Sequence, residues 1–155
     1  GSFGGPVPDG TPAGGVMCIN WGARLPTIED GTSSTVLLSE VRVGSHLSPG
    51  DPRGTWAVGL AGASVIVGCA SWDCTNPNDH NDNSDDIEGG VNDSVGGMGA
   101  WQTCPFQQAT SRSKHTGGVT IAFADGSVRF LTDKVQQAVW WSMIARDDGI
   151  TYTMP

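Results

Sequence analysis

Apolar and polar residues alternate most regularly towards the C-terminal end. Gly118-Val119-Thr120-Ile121-Ala122-Phe123-Ala124 and Ser127-Val128-Arg129-Phe130-Leu131 both read as strands, and they flank Asp125-Gly126. Two such runs joined by Asp-Gly predict a β-hairpin whose two turn positions both take positive φ. Beyond it, Thr132 or Asp133 is placed to cap a helix over about 134–146. Val135, Val139 and Met143 form its stripe, and Gly149 stands ready to stop it. Neighbours on a helix project about 100° apart, so at most one of Trp140 and Trp141 is expected in the core.

Earlier in the chain, Asp30-Gly31 marks a turn, and the β-branched run 36–43 after it predicts a buried strand. Shorter strand candidates lie at 16–21, 54–59 and 64–68. Residues 1–16 are Gly/Pro-rich and read as an extended opening segment. Residues 70–113 are mostly Asp, Asn, Ser, Gly and Gln, with isolated Trp72, Met98, Trp101 and Phe106. Structureless stretches of that length are uncommon in a domain and need a fastening. The pattern as a whole predicts a mainly β (α+β) fold in a single domain over 1–155. Its antiparallel sheet includes 36–43, 118–124 and 127–131, with long loops and one C-terminal helix packed on one face.

Composition narrows this further. Gly at 23 of 155 residues, with only 15% charged, fits a turn-rich chain and argues against a helical bundle. Six Trp and 37% hydrophobic residues argue against disorder. No run is long and apolar enough for a transmembrane helix. The first residues, Gly1-Ser2-Phe3-Gly4-Gly5, do not read as a signal peptide. The net charge of −8, from 8 basic and 16 acidic residues, excludes a broad phosphate-neutralising surface and therefore nucleic acid.

That charge is local. Seven of the sixteen carboxylates, Asp73, Asp79, Asp82, Asp85, Asp86, Glu88 and Asp93, fall in one short span, and no Lys or Arg occurs between Arg53 and Arg112. Carboxylates crowded together repel unless they are solvated or bridged. Closely spaced Asp and Asn oxygens suit Ca²⁺, so Asp79, Asn81, Asp82, Asn83, Asp85, Asp86 and Glu88 form a candidate metal set. Asp79, Asn81, Asn83 and Asp85 alternate as an EF-hand opens. Ser84 at the sixth position and Gly90 at the twelfth exclude that motif, leaving a calcium loop of another kind or a solvated Asx-turn loop.

Cys18, Cys69, Cys74 and Cys104 point to an oxidising compartment and allow three pairings, which the sequence leaves open. A thiol-protease-like set of Cys104, His115 and Asp125 is conceivable. However, Asp125 is occupied by its turn, no oxyanion-hole motif is visible, and no enzyme is expected. Trp72 and Trp101 flank the acidic run and either pack it to the body or stack on sugars. The second role would make a soluble extracellular carbohydrate- or solute-binding module, the alternative function.

The segment from Ser111 to Phe130 contains His115, nine residues, then Asp125-Gly126. It resembles the His-x9-Asp-Gly signature that closes a large family of bacterial type IV pilin-like proteins, long classed as a domain of unknown function. Ile28-Glu29-Asp30-Gly31-Thr32-Ser33-Ser34-Thr35 is similar to that family's Ile-x-Asp-Gly-Thr-Ser-Asn-Thr segment, with Ser34 in place of Asn. Asn78-Asp79-His80-Asn81-Asp82-Asn83-Ser84-Asp85-Asp86-Ile87 looks like its Asn/Asp-rich loop, and Gln108-Ala109-Thr110-Ser111-Arg112-Ser113 also fits.

The resemblance implies a pilin or pseudopilin: a prepilin-type signal, a long apolar helix, and a β-rich head displayed outside the inner membrane. The sequence in hand matches the head. The helix is expected from a longer precursor or from a helix-bearing pilin partner. The expected role is a structural subunit of a pilus-like or secretion-type filament, at the bacterial cell surface or outside the cell and periplasmic before assembly. Its partners would be other filament subunits.

Overall fold

Val119, Ile121 and Phe123 alternate with Thr120 and Ala122, and this alternation organises the sheet. The computed structural model describes residues 2–3, 14–18, 21–45, 48–67, 76–82, 84–101 and 108–154. Within them run β1 (Ser2–Phe3), β2 (Met17–Cys18), β3 (Trp21–Gly22), β4 (Val36–Ser39), β5 (Ile66–Val67), β6 (Gly118–Phe123), β7 (Val128–Thr132) and α1 (Gln137–Ile144). A single 3₁₀ turn, Leu25–Thr27, precedes β4. The main sheet is antiparallel in the order β4-β6-β7; β1 pairs with β5 in parallel and β2 with β3 antiparallel. This is the expected mainly β fold with one C-terminal helix.

One face of the main sheet is covered. Val36, Val119, Ile121, Phe123 and Leu131 pack with Ile66, Val135 and the helix residues Trp140, Met143 and Ile144, all almost fully buried. Each such side chain contributes about 1.5–3 kcal/mol by leaving water. Trp140 is in this core while Trp141 is half-buried against it, as the helical geometry requires. The other face is open. Leu38, Ala122 and Val128 share one cross-strand row, and Phe130 sits opposite Thr120 in the next. Leu38, Val128 and Phe130 are 49%, 63% and 57% exposed.

The hairpin occurs where predicted, with a different turn. Gly126 has φ +86°, but Asp125 is not at positive φ. Gly126 N–H donates to Phe123 O at 3.0 Å and Phe123 N–H to Ser127 O at 2.9 Å. This is a type I turn followed by a glycine bulge, and only the glycine needs the left-handed region. The expected first strand, 36–43, ends at Ser39. The Glu40 carboxylate, in place of a backbone carbonyl, takes the Thr120 N–H at 2.6 Å, and the chain leaves the sheet there.

The helix is shorter than predicted, and neither Thr132 nor Asp133 caps it. Thr132 Oγ accepts Lys134 N–H at 3.2 Å and Thr132 O accepts Val135 N–H at 3.2 Å, so its turn forms before the helix. Gln136 is the cap position and makes no side-chain capping bond. At the other end Ala145 turns extended, and Gly14 O accepts Arg146 N–H at 3.1 Å, so the helix stops well before Gly149. Residues 54–59 are turns, not a strand. Gly54 takes φ +73°, Thr55 N–H donates to Pro52 O, Val58 N–H donates to Thr55 O, and Trp56 is 87% exposed.

Candidate functional site

The described parts of 70–113 contain only bends, turns and isolated bridges. Their fastening is ionic. Asp85 is fully buried, and its Oδ2 lies 2.7 Å from Arg112 Nε and 3.0 Å from Arg53 Nη1. Arg53 Nη2 in turn meets Asp51 Oδ2 at 2.6 Å. Two arginines and two carboxylates thus form a neutral buried quartet. The remaining donors are spent on the loop backbone. Arg53 reaches Gly99 O at 3.0 Å and Val91 O at 2.7 Å, and Arg112 reaches Gly97 O at 3.0 Å and Asp79 O. Ser84 Oγ accepts from Arg112 Nη2 at 2.7 Å, and Asp85 Oδ1 accepts the Thr110 N–H at 3.1 Å.

Buried ions are tolerable only when paired and fully hydrogen-bonded, and this quartet meets both conditions. Burial alone would raise the Asp51 carboxyl. The Arg53 guanidinium and the backbone N–H groups of Ser45 and Arg53 outweigh it and hold the group below the ordinary carboxylate range. Burial likewise opposes charge on Arg53, but Asp51 and Asp85 hold its pKa above the ordinary arginine value.

The acidic run divides at this quartet. Asp85 and Asp86 face inward, whereas Asn81, Asp82 and Glu88 are exposed. Asp79 Oδ1 closes an Asx turn with Asn81, accepting its backbone N–H at 2.9 Å and its side-chain N–H at 2.6 Å. Asn83 lies outside the described residues. The candidate calcium ligands among the described residues are thus divided between buried and exposed positions. Among the described residues no group of three or more His, Cys, Asp or Glu is arranged to hold a metal ion. Cys69, Cys74, Cys104 and Trp72 also lie outside the described residues, as does the Cys18 side chain, so the expected disulfide lies there too. Trp101 is half-buried, and its backbone bonds to Asp85 O at 2.8 Å and Ile87 N at 3.2 Å.

His115 and Asp125 stand at opposite ends of β6. His115 is 60% exposed, lies 3.1 Å from Glu40 Oε1 through Nε2, and meets the Phe130 ring edge-on. Asp125 accepts the Ser127 N–H at 2.8 Å. Its contacts with Ser127 keep this exposed carboxyl below the ordinary range.

The recognised segments bind one another. Thr32 O and Thr35 O accept the N–H groups of Asp125 and Ala124, both at 2.9 Å, joining the Asp-Gly-Thr turn to the hairpin. Asp86 and Gln108 exchange two backbone bonds of 3.0 and 2.9 Å. Asn78, at φ +60°, donates from its side chain to Gly118 O at 3.0 Å and accepts Ser113 N–H at 2.7 Å. A model of the family described as "Protein of unknown function (DUF1559)" matches residues 8–138. The chain belongs to that family. Comparison with the curated proteins and with the solved structures finds no match.

In this DUF1559 chain a groove of about 710 Å³ opens beside the quartet, with Glu40, Arg42, Asp93, Arg112, Lys114 and His115 among its walls. Arg42 Nη1 donates to Gly96 O at 2.8 Å and Gly97 O at 3.2 Å. Sequence reasoning did not single out Arg53, Arg112, Asp51 or Arg42. One signal pointed to the first two: they are the cations that bound the long stretch without Lys or Arg, so the nearest charges able to neutralise a buried acid there.

Proposed function

We propose that this chain is the head of a structural, pilin- or pseudopilin-like subunit in an extracellular or cell-surface filament. It would pass through the periplasm and assemble with other subunits through a helix that it or a partner supplies. The observation that carries this reading is the open face of the β4-β6-β7 sheet. Its second face is covered by α1, yet Leu38 and Val128 in one cross-strand row and Phe130 in the next are exposed to solvent. Contiguous apolar surface of this kind marks contact with another polypeptide. Two further features support a shape-making role: the recognised segments are consumed in holding one another, and His115 is paired with Glu40 away from Asp125.

Immunogold labelling of filaments sheared from the producing cells, with antibody raised against this domain, tests the proposal. Regular labelling along the filament is expected. Label confined to the soluble fraction, with unlabelled filaments, would contradict it.

A further inference from the structure

The groove beside the quartet has acids that are already hydrogen-bonded and, among the described residues, two cations without a carboxylate partner. Glu40 takes the Thr120 N–H at 2.6 Å and His115 Nε2 at 3.1 Å; Asp93 takes the Gly96 N–H at 2.8 Å and the Ser45 hydroxyl at 3.1 Å. Arg112 is neutralised through Asp85. Arg42 and Lys114 are different: among the described residues no carboxylate lies within ion-pair distance of either. The Arg42 Nε is buried and has no acceptor among the described residues. Burial, then the charges of Arg112 and Arg53, lower the Arg42 pKa, and the attraction of Asp93 offsets them least. In a chain carrying −8 overall, this groove holds a half-buried cation that has no carboxylate partner among the described residues and stands beside the paired Arg112 and Arg53. Such an arrangement is costly while empty and relaxes when an anion enters.

We infer that this groove binds a carboxylate, with Arg42 as its principal cation and Lys114 at its rim. A guanidinium fork matches the two oxygens of a carboxylate. The walls favour a single negative charge, because Glu40 and Asp93 oppose a dianion such as phosphate more strongly. A volume of about 710 Å³ is that of a small-molecule site, and it also admits an acidic side chain from another polypeptide. The inference stands on this groove alone and does not depend on the filament reading.

The test follows the arginine Nε–H signals of the ¹⁵N-labelled chain during titration with acetate, inorganic phosphate, and a capped peptide carrying a single Glu. A saturable shift of the Arg42 signal with acetate supports the site with a free acid as ligand. A shift with the peptide alone supports it with a protein acid as ligand. No saturable shift, or a shift with phosphate only, overturns it. Two variants check the assignment, each confirmed as folded by its thermal melt. Arg42→Gln should weaken binding at least about tenfold. Lys114→Gln, at an exposed position, should weaken it about two- to fivefold with an unchanged melting temperature. Undiminished binding in both variants overturns the inference as well.

Discussion

Arg112 Nε lies 2.7 Å from Asp85 Oδ2, and both groups are buried. This pair joins the start of the hairpin arm to the middle of the acidic run. Arg53 Nη1 meets the same oxygen at 3.0 Å. The charge that made the sequence look like a metal loop is, at Asp85, met by arginines from outside the run.

Removing the shared carboxylate should therefore be severe. Asp85→Asn leaves two buried guanidiniums facing a neutral group and is expected to cost about 3–5 kcal/mol. Asp82→Asn, in the same run but exposed, should stay within about 0.5 kcal/mol. Urea unfolding midpoints of the two variants compare them directly, and equal midpoints would refute the assignment.

Acid should weaken the quartet through Asp51. Its folded pKa is lowered, so the stability it contributes is complete above the ordinary carboxyl value of 3.8 and is lost as pH falls below that value through the folded one. Thermal melts of the parent and of Asp51→Asn from pH 5 to pH 2 should converge on acidification. A constant gap between the two curves would rule this out.

Tyr152 gives the opposite limb. Burial, with Asp148 and Asp30 nearby, pushes its phenol up to about 12 from 10.0. The unfolded chain ionises first, so stability should fall as pH rises from 10 towards 12. Spectrophotometric titration should show a phenolate midpoint near 12, and Tyr152→Phe should remove that part of the alkaline loss. A midpoint near 10 would contradict the burial.

Gly126 allows a clean backbone test. Its φ is +86° and a Cβ there would meet nothing within 4 Å, so Gly126→Ala carries conformational cost alone. About 1–2 kcal/mol is expected. A neutral substitution would mean that the turn differs from a type I turn with a glycine bulge.

The hairpin was legible because its pattern is local: Val119, Ile121 and Phe123 alternate beside Asp125-Gly126, and one buried face follows from that spacing. The Trp140–Trp141 split was legible for the same reason. Residues 54–59 misled because Trp56 and Val58 alternate like a strand while Gly54 and successive turn bonds bend the chain. The helix start misled because the Thr132 hydroxyl serves a tighter turn just before it. The quartet was not legible. It depends on which distant charges meet, and periodicity carries no information on that. Only the missing cations between Arg53 and Arg112 hinted at it.

The central claim is that Asp85, held by Arg53 and Arg112, fastens the Asx-rich loop to the sheet. Native-state hydrogen exchange of the parent and of Asp85→Asn measures this most directly. Loss of protection should be greatest at Asp86, Trp101, Gln108 and Thr110, whose N–H groups bond to residues of that loop, while Val119, Ile121 and Phe123 in β6 lose only what the drop in global stability removes. Unchanged protection at Thr110 and Gln108, or a uniform loss across both groups, would contradict the account.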